Sequence, residues 1–241
     1  AKDHNVNLML GMEYYDNYKR GFEAKGSGAP TDDFSDLSLT DNGEGKRTIN
    51  SWHEQYRILS YFGRLNYDYK SKYLLSAVFR QDGYSSLLGD NRWGFFPGVS
   101  VGWNIMEERF WKDSKISGVI SNLKPRLSYG VNGNVNGIGN FDVYGAYSQV
   151  GAKTYGGSTA FYNSGLVNTG LRWEQSQSFE AGLDIGFLNN RLSFILDYYN
   201  RTTKDLLTKQ ALPGYTGFTE IMTNMGTLRN YGFEMEVRAN I

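Results

Sequence analysis

Cysteine is absent from this chain, which excludes a disulfide framework, a thiolate metal site and a cysteine nucleophile. Histidine is scarce. His4 and His53 share no metal-ligand spacing and read as surface polar residues. Formal net charge is zero and no basic run stands out, so charge gives no footprint for nucleic acid. No stretch of about 18 apolar residues is present to cross a membrane as a helix. A β-barrel stays open, because its strands need only about 10 alternating residues each. The chain starts on the polar Ala1-Lys2-Asp3-His4, with no apolar core of a secretory leader behind it.

What is present points to strands. Aromatics make up 15% of the chain and Pro only 4 residues, a balance that suits pleated sheet. The 29 Gly mark turns, bulges and close backbone approaches. Period-two alternation dominates. Val6, Leu8, Leu10, Met12 and Tyr14 form a first row, and Leu59, Tyr61, Gly63, Leu65 and Tyr67 a second. Tyr73, Leu75, Ala77 and Phe79 follow a tight turn at Lys70-Ser71-Lys72. Val99, Val101, Trp103 and Ile105 come next, then Leu123, Pro125, Leu127, Tyr129 and Val131. Phe179, Ala181, Leu183, Ile185 and Phe187 lead through Asn189-Asn190, a two-residue hairpin signal, to Leu192, Phe194, Leu196 and Tyr198. Tyr231, Phe233, Met235 and Val237 close the series at about eight strands.

The opposite rows carry the charge: Arg64, Arg80, Arg126, Glu180, Asp184, Asp197, Glu234 and Glu236. Polar stretches from about Asn17 to Trp52 and from Gly133 to Arg172 read as long loops, and Glu107 to Asn122 as a short helical connection. A charge facing lipid at mid-bilayer costs about 2–4 kcal/mol, whereas one facing a wet lumen stays hydrated. Rows free of charge are what that cost enforces.

Alternation alone also fits a soluble or cell-surface β-sandwich that binds carbohydrate. Three features favour a membrane barrel. Long and short connections alternate, as outer loops and periplasmic turns do. Tyr67, Tyr69, Tyr73, Trp103, Tyr129 and Tyr198 sit near strand ends, as interfacial girdles do. Successive strands read as meander hairpins.

Several motifs then resemble one family in one order. Tyr73 to Ser86 reads YLLSAVFRQDGYSS, Asn91 to Trp103 reads NRWGFFPGVSVGW, and Leu123 to Asn134 reads LKPRLSYGVNGN. Leu171 to Glu174 reads LRWE and Tyr198 to Leu207 reads YYNRTTKDLL, ahead of Leu212-Pro213, Gly217-Phe218, Asn224-Met225-Gly226 and Asn230 to Glu234. Together they resemble the barrel of SusC/RagA-type TonB-linked outer-membrane transporters across about Ser60 to Glu236. Pro125, Asn104 and Phe233 depart from the usual family residues.

The resemblance implies an all-β fold: an antiparallel transmembrane β-barrel fragment, its meander strands belonging to a larger plugged barrel of about 22 strands. Residues 1–241 are expected to form part of a TonB-dependent receptor β-barrel domain, without the plug domain or TonB box. The implied activity is import of oligosaccharides or peptides across the Gram-negative outer membrane, with a SusD-like surface lipoprotein as lid and the TonB complex as energy source. A passive porin-like channel is a weaker reading.

Val101, Trp103, Leu127, Leu183, Ile185, Phe194, Leu196, Phe233 and Met235 are then expected to face lipid, and the charged rows the lumen. Tyr144, Tyr147, Tyr155, Phe161, Tyr162, Phe22 and Phe34 are candidates to touch substrate or lid protein from outer loops, against packing within those loops. Arg92 and Trp93 read as structural residues at the strand mouth. No catalytic set, cofactor or metal site is expected. Glu234 and Glu236 read as solvated lumen charge rather than a glycosidase pair, and Gly133 to Gly139 lacks the lysine of a phosphate loop.

Overall fold

A computed structural model describes residues 3–33, 36–156 and 158–240. Twelve strands form among them: β1 (His4–Gly26), β2 (Arg47–Tyr69), β3 (Tyr73–Tyr84), β4 (Trp93–Trp103), β5 (Ile120–Asn134), β6 (Tyr147–Tyr155), β7 (Ser158–Asn163), β8 (Glu174–Phe187), β9 (Leu192–Lys204), β10 (Leu207–Ala211), β11 (Glu220–Asn224) and β12 (Thr227–Ala239). Eight of them make one sheet in the order β1-β2-β3-β4-β5-β8-β9-β12. The remaining four are two hairpins, β6–β7 and β10–β11, inserted in the connections. The sheet is thus a meander in sequence order, antiparallel between neighbours from β2 to β12.

The chain divides into two units. Residues 1–14 and 58–241 form the first, and residues 15–57 the second. In the second, Asp16 accepts from Gln55 Nε2 at 2.8 Å and from Arg57 Nε at 3.1 Å. Gly21 lies against the Trp52 indole, where a Cβ would come within 2.2 Å of the ring.

The eight expected strands form, but several borders differ. β1 and β2 are each 23 residues long, so the expected loop from Asn17 to Trp52 shrinks to residues 27–46. Past Tyr15 charge enters the apolar row, with Asp16 and Arg20 between Tyr14, Tyr18 and Phe22, and the alternation loses contrast, while the backbone ladder needs no apolar side chain. The β6–β7 hairpin lies inside the second long loop, and its YSQVGAKTY strand shows no clean alternation. The expected helix from Glu107 to Asn122 is only a four-residue α1 (Arg109–Lys112) between 3-10 turns, and β5 already begins at Ile120. Ser114 breaks that helix by capping the next turn, its hydroxyl accepting from Ile116 N. The β8–β9 turn is wider than the two residues expected: Phe187 pairs with Leu192, and Leu188, Asn189 and Asn190 all adopt left-handed φ of 52–61°.

Burial is unlike that of a sandwich. Phe233 and Met235 are 85% and 68% exposed, and Val101, Leu127 and Leu196 are also exposed. No second sheet of the described residues packs on this face. The buried apolar side chains gather at the loop end instead: Tyr84, Leu87, Phe96, Ile138, Val143, Leu171 and Trp173.

Candidate functional site

Register carries each expected row across the sheet. Val101 pairs with Leu127, Leu127 with Ala181, Leu183 with Leu196, Ile185 with Phe194, Phe194 with Val237, and Met235 with Leu196. Because side chains alternate sides, these partners share one face. Trp103 extends it toward the turn end, and Tyr198 sits against Phe233 with ring centroids 5.1 Å apart. All nine residues expected to face lipid therefore lie on one continuous face that bears no charge among them.

The other face is charged and hydrogen-bonded. Arg126 donates to Asp184 at 3.1 Å and to Asp197 at 2.8 Å. Gly182 is opposite Arg126, and a Cβ there would come within 2.7 Å of the guanidinium carbon. Arg80 donates to Asp82 at 2.7 Å, to Ser60 at 2.8 Å and to Glu13 at 2.9 Å. Glu236 pairs with Arg238, while Glu234 stands opposite Asp197. Arg64 is exposed on the same face, opposite Val78. A hollow of about 380 Å³ opens on this face between Arg126, Glu180, Asp197, Tyr199, Arg201, Asn230 and Glu234. The arrangement offers hydrated charge and donors to a passing polar solute. Among the described residues no group of three His, Asp or Glu is placed to hold a metal ion.

At the loop end, Trp173 packs edge-on to Phe96 and to Tyr84 and donates its indole N–H to the Arg92 carbonyl at 3.0 Å. Arg92 Nε donates to the Leu87 carbonyl at 3.1 Å. Trp93 stands on the apolar face beside Tyr61. Asn224 ties the β10–β11 hairpin down, accepting from Arg172 N and donating to the Arg172 and Asp205 carbonyls, each at 2.9 Å. The aromatic candidates remain exposed: Tyr147 at 79%, Phe161 at 67%, and Tyr144, Tyr162 and Phe22 above half. Tyr144 is tethered, its hydroxyl donating to Ser85 O at 3.3 Å. Phe34 and the side chain of Tyr155 lie outside the described residues.

Sequence reading missed Glu108 at the opposite, turn end. Its carboxylate accepts from Lys72 Nζ and Tyr73 OH, both at 2.8 Å, and from Trp103 Nε1 at 3.3 Å. The Lys72 hydrogen bond, with that of Tyr73, holds the carboxyl below the usual glutamate range. The signal available was an acid five residues past Trp103, the last residue of β4, whose partner strand β3 begins just after the cationic turn at Lys70–Lys72.

An antiparallel meander with one exposed face whose apolar band is free of charge, Arg229 lying beyond it at the loop end, and one charged face defines a section of β-barrel wall. The TonB dependent receptor-like, beta-barrel family matches residues 2–240, and the chain belongs to that family. Within it the chain is of the SusC/RagA type. It is 36% identical to the TonB-dependent receptor SusC of Bacteroides thetaiotaomicron over 98% of its own length and 23% of that relative's. It is 39% identical to the TonB-dependent receptor P39 of Formosa agariphila over 76% of its length and 17% of the relative's. The RagAB peptide transporter structure superposes over the whole chain with a TM-score of 0.87 at 27% identity, covering 26% of that chain. The ferric enterobactin receptor PfeA of Pseudomonas aeruginosa, at 16% identity and a TM-score of 0.58, shares the fold. The chain thus spans about a quarter of the relatives it matches.

Proposed function

We propose that this chain supplies part of the wall of a TonB-energised outer-membrane importer of oligosaccharides or peptides. The observation that carries this reading is the two-faced sheet: an exposed band free of charge backed by a charged, hydrogen-bonded face. Val101, Trp103, Leu127, Leu183, Ile185, Phe194, Leu196, Phe233 and Met235 face lipid in this reading. Arg64, Arg80, Arg126, Glu180, Asp184, Asp197, Glu234 and Glu236 line the lumen, where water repays their charge. The long connections face outward. There Tyr144, Tyr147, Phe161 and Tyr162 offer stacking surface to sugar rings, peptide side chains or a SusD-like lid, and Phe22 offers an exposed ring near the end of β1. TonB is engaged by parts of the protein outside this wall section. The wall performs no bond chemistry.

The test is uptake of labelled oligosaccharides and labelled peptides by cells whose only such importer is the full-length protein, with and without TonB. Uptake of one class that stops without TonB supports the reading and selects the substrate. Uptake that continues without TonB replaces it with a passive channel. No uptake of either class overturns it.

A further inference from the structure

The turn end carries an exposed amphipathic surface that the wall itself does not explain. Hydrogen bonds chain its turns together: Lys70 N to Asp3 O, Asn104 N to Lys72 O, and Leu188 N to Val119 O. Directly above them, Tyr69, Tyr73 and Trp103 stack in a row on the apolar face, with successive centroids 6.3 Å apart. Such a row of amphipathic rings marks the level of lipid headgroups. Glu108 accepts hydrogen bonds from the Tyr73 and Trp103 of that row, so the connection between β4 and β5 is pinned against the lipid side of the girdle.

The connection then exposes apolar side chains where a water-facing turn has no use for them. Phe110 is 61% exposed, and Ile116 and Val119 are each 54% exposed. Its cations are also unequal. Lys112 is paired with Glu107 and Lys72 with Glu108. Arg109 and Lys115, and Arg191 in the adjoining turn, are exposed with no carboxylate partner among the described residues. Within the connection three acids (Glu107, Glu108, Asp113) balance three cations (Arg109, Lys112, Lys115), and Lys72 and Arg191 of the adjoining turns bring the excess of positive charge to this end. Apolar side chains beside unneutralised cations, continuous with an aromatic girdle, are the make-up of a segment that lies in a bilayer interface.

We propose that the Ile105–Val119 connection is an interfacial anchor that binds acidic phospholipid at the periplasmic rim of the wall. Phe110, Ile116 and Val119 enter the acyl boundary, and Arg109, Lys115 and Arg191 take the phosphate headgroups. This rests on the reading above that the apolar face meets lipid. Acidic lipid is the committed occupant because the free charge is positive and the surface continues the lipid-facing row.

The experiment uses the full-length protein in nanodiscs, carrying a fluorophore on one introduced cysteine at a time: F110C at the connection, F233C on the wall, and Y215C in the outer β10–β11 loop. Quenching is measured with brominated phosphatidylglycerol and, separately, with the same fraction of brominated phosphatidylcholine. The proposal expects quenching at 110 and 233 but not at 215. It also expects phosphatidylglycerol to quench position 110 about two- to fivefold more than phosphatidylcholine, as surface cations concentrate acidic lipid. The triple variant R109Q/K115Q/R191Q, which keeps the apolar residues, should remove that preference and leave position 233 unchanged. Quenching at 233 with an unquenched 110 overturns the anchor and leaves the wall reading standing. No quenching at 233 overturns the wall reading itself. Equal quenching of 110 by both lipids, or a preference that survives the triple variant, overturns the choice of acidic headgroups.

Discussion

Trp173 stands edge-on to Phe96, with ring centroids 5.2 Å apart at 64°, and both side chains are buried in a sheet whose other large apolar residues are largely exposed. Phe96 lies in the row of Gly94, Gly98 and Ser100, on the charged face, so this pair builds a small apolar core at the loop end. Gly94 and Gly133 make room for it, since a Cβ on either would come within 2.2 Å of the Phe96 ring. Replacing Trp173 by Ala should cost the loop core about 3–5 kcal/mol, and replacing it by Phe about 1 kcal/mol, mainly the indole bond to Arg92 O. Protease nicking between residues 85 and 92 or 135 and 146, on the full-length protein in detergent, reads the difference. Equal resistance of W173A and the parent would show that these loops are held by something else.

The two faces should respond oppositely to the same charge. Leu127 and Ser128 are adjacent in β5, the first beside Val101 and Ala181, the second beside Ser100 and Glu180. Leu127→Arg should destabilise the barrel by about 2–4 kcal/mol and lower its amount in the outer membrane. Ser128→Arg should be tolerated, with Glu180 across the strand as a partner. Heat-resistant folded barrel in the membrane fraction measures both. Equal loss from the two variants would mean that the apolar row is an ordinary core.

Gly182 and Gly130 are a matched pair for backbone space. A Cβ at Gly182 would meet Asp197 Oδ1 at 2.4 Å and the Arg126 guanidinium at 2.7 Å, whereas one at Gly130 meets nothing within 4 Å. Gly182→Ala should cost about 1–3 kcal/mol by pushing apart the Arg126–Asp197 contact. Gly130→Ala should stay within about 0.5 kcal/mol of the parent. Thermal unfolding in detergent checks both, and a Gly182→Ala protein as stable as the parent would show that the ion pair shifts freely.

The wall was legible from sequence because alternation reports a two-sided environment. Leu183 and Asp184 point opposite ways on one strand, and nothing but a sheet makes that pattern repeat so often. The loop end was not legible, since its core joins Leu87, Val143 and Trp173, residues far apart in a stretch with no period. The far lengths of β1 and β2 were missed for the related reason that charged residues such as Asp16, Arg20 and Glu54 interrupt their apolar rows. Arg126 was recognisable as an inward charge, but its grip on two carboxylates from β8 and β9 depends on register, which alternation alone leaves unset.

Glu108 gives the fold a pH dependence with a definite sign. Its carboxyl is held below the ordinary glutamate range by Lys72, then Tyr73, so the folded state favours the ionised form. The stabilisation is therefore fully present above the unfolded glutamate pKa, about 4.3, and is lost as pH falls through the lower folded value. Glu108→Gln keeps the shape and an acceptor but removes the charge. At neutral pH the variant should melt below the parent, because Lys72 loses its counter-charge. As pH falls through the acid range the parent should lose this advantage and the two melting curves should converge. Thermal unfolding of the full-length protein in detergent across that range is the measurement. A gap between parent and variant that stays constant with pH would show that the Glu108 charge contributes nothing, leaving only its hydrogen-bond geometry to hold the connection against Tyr73 and Trp103.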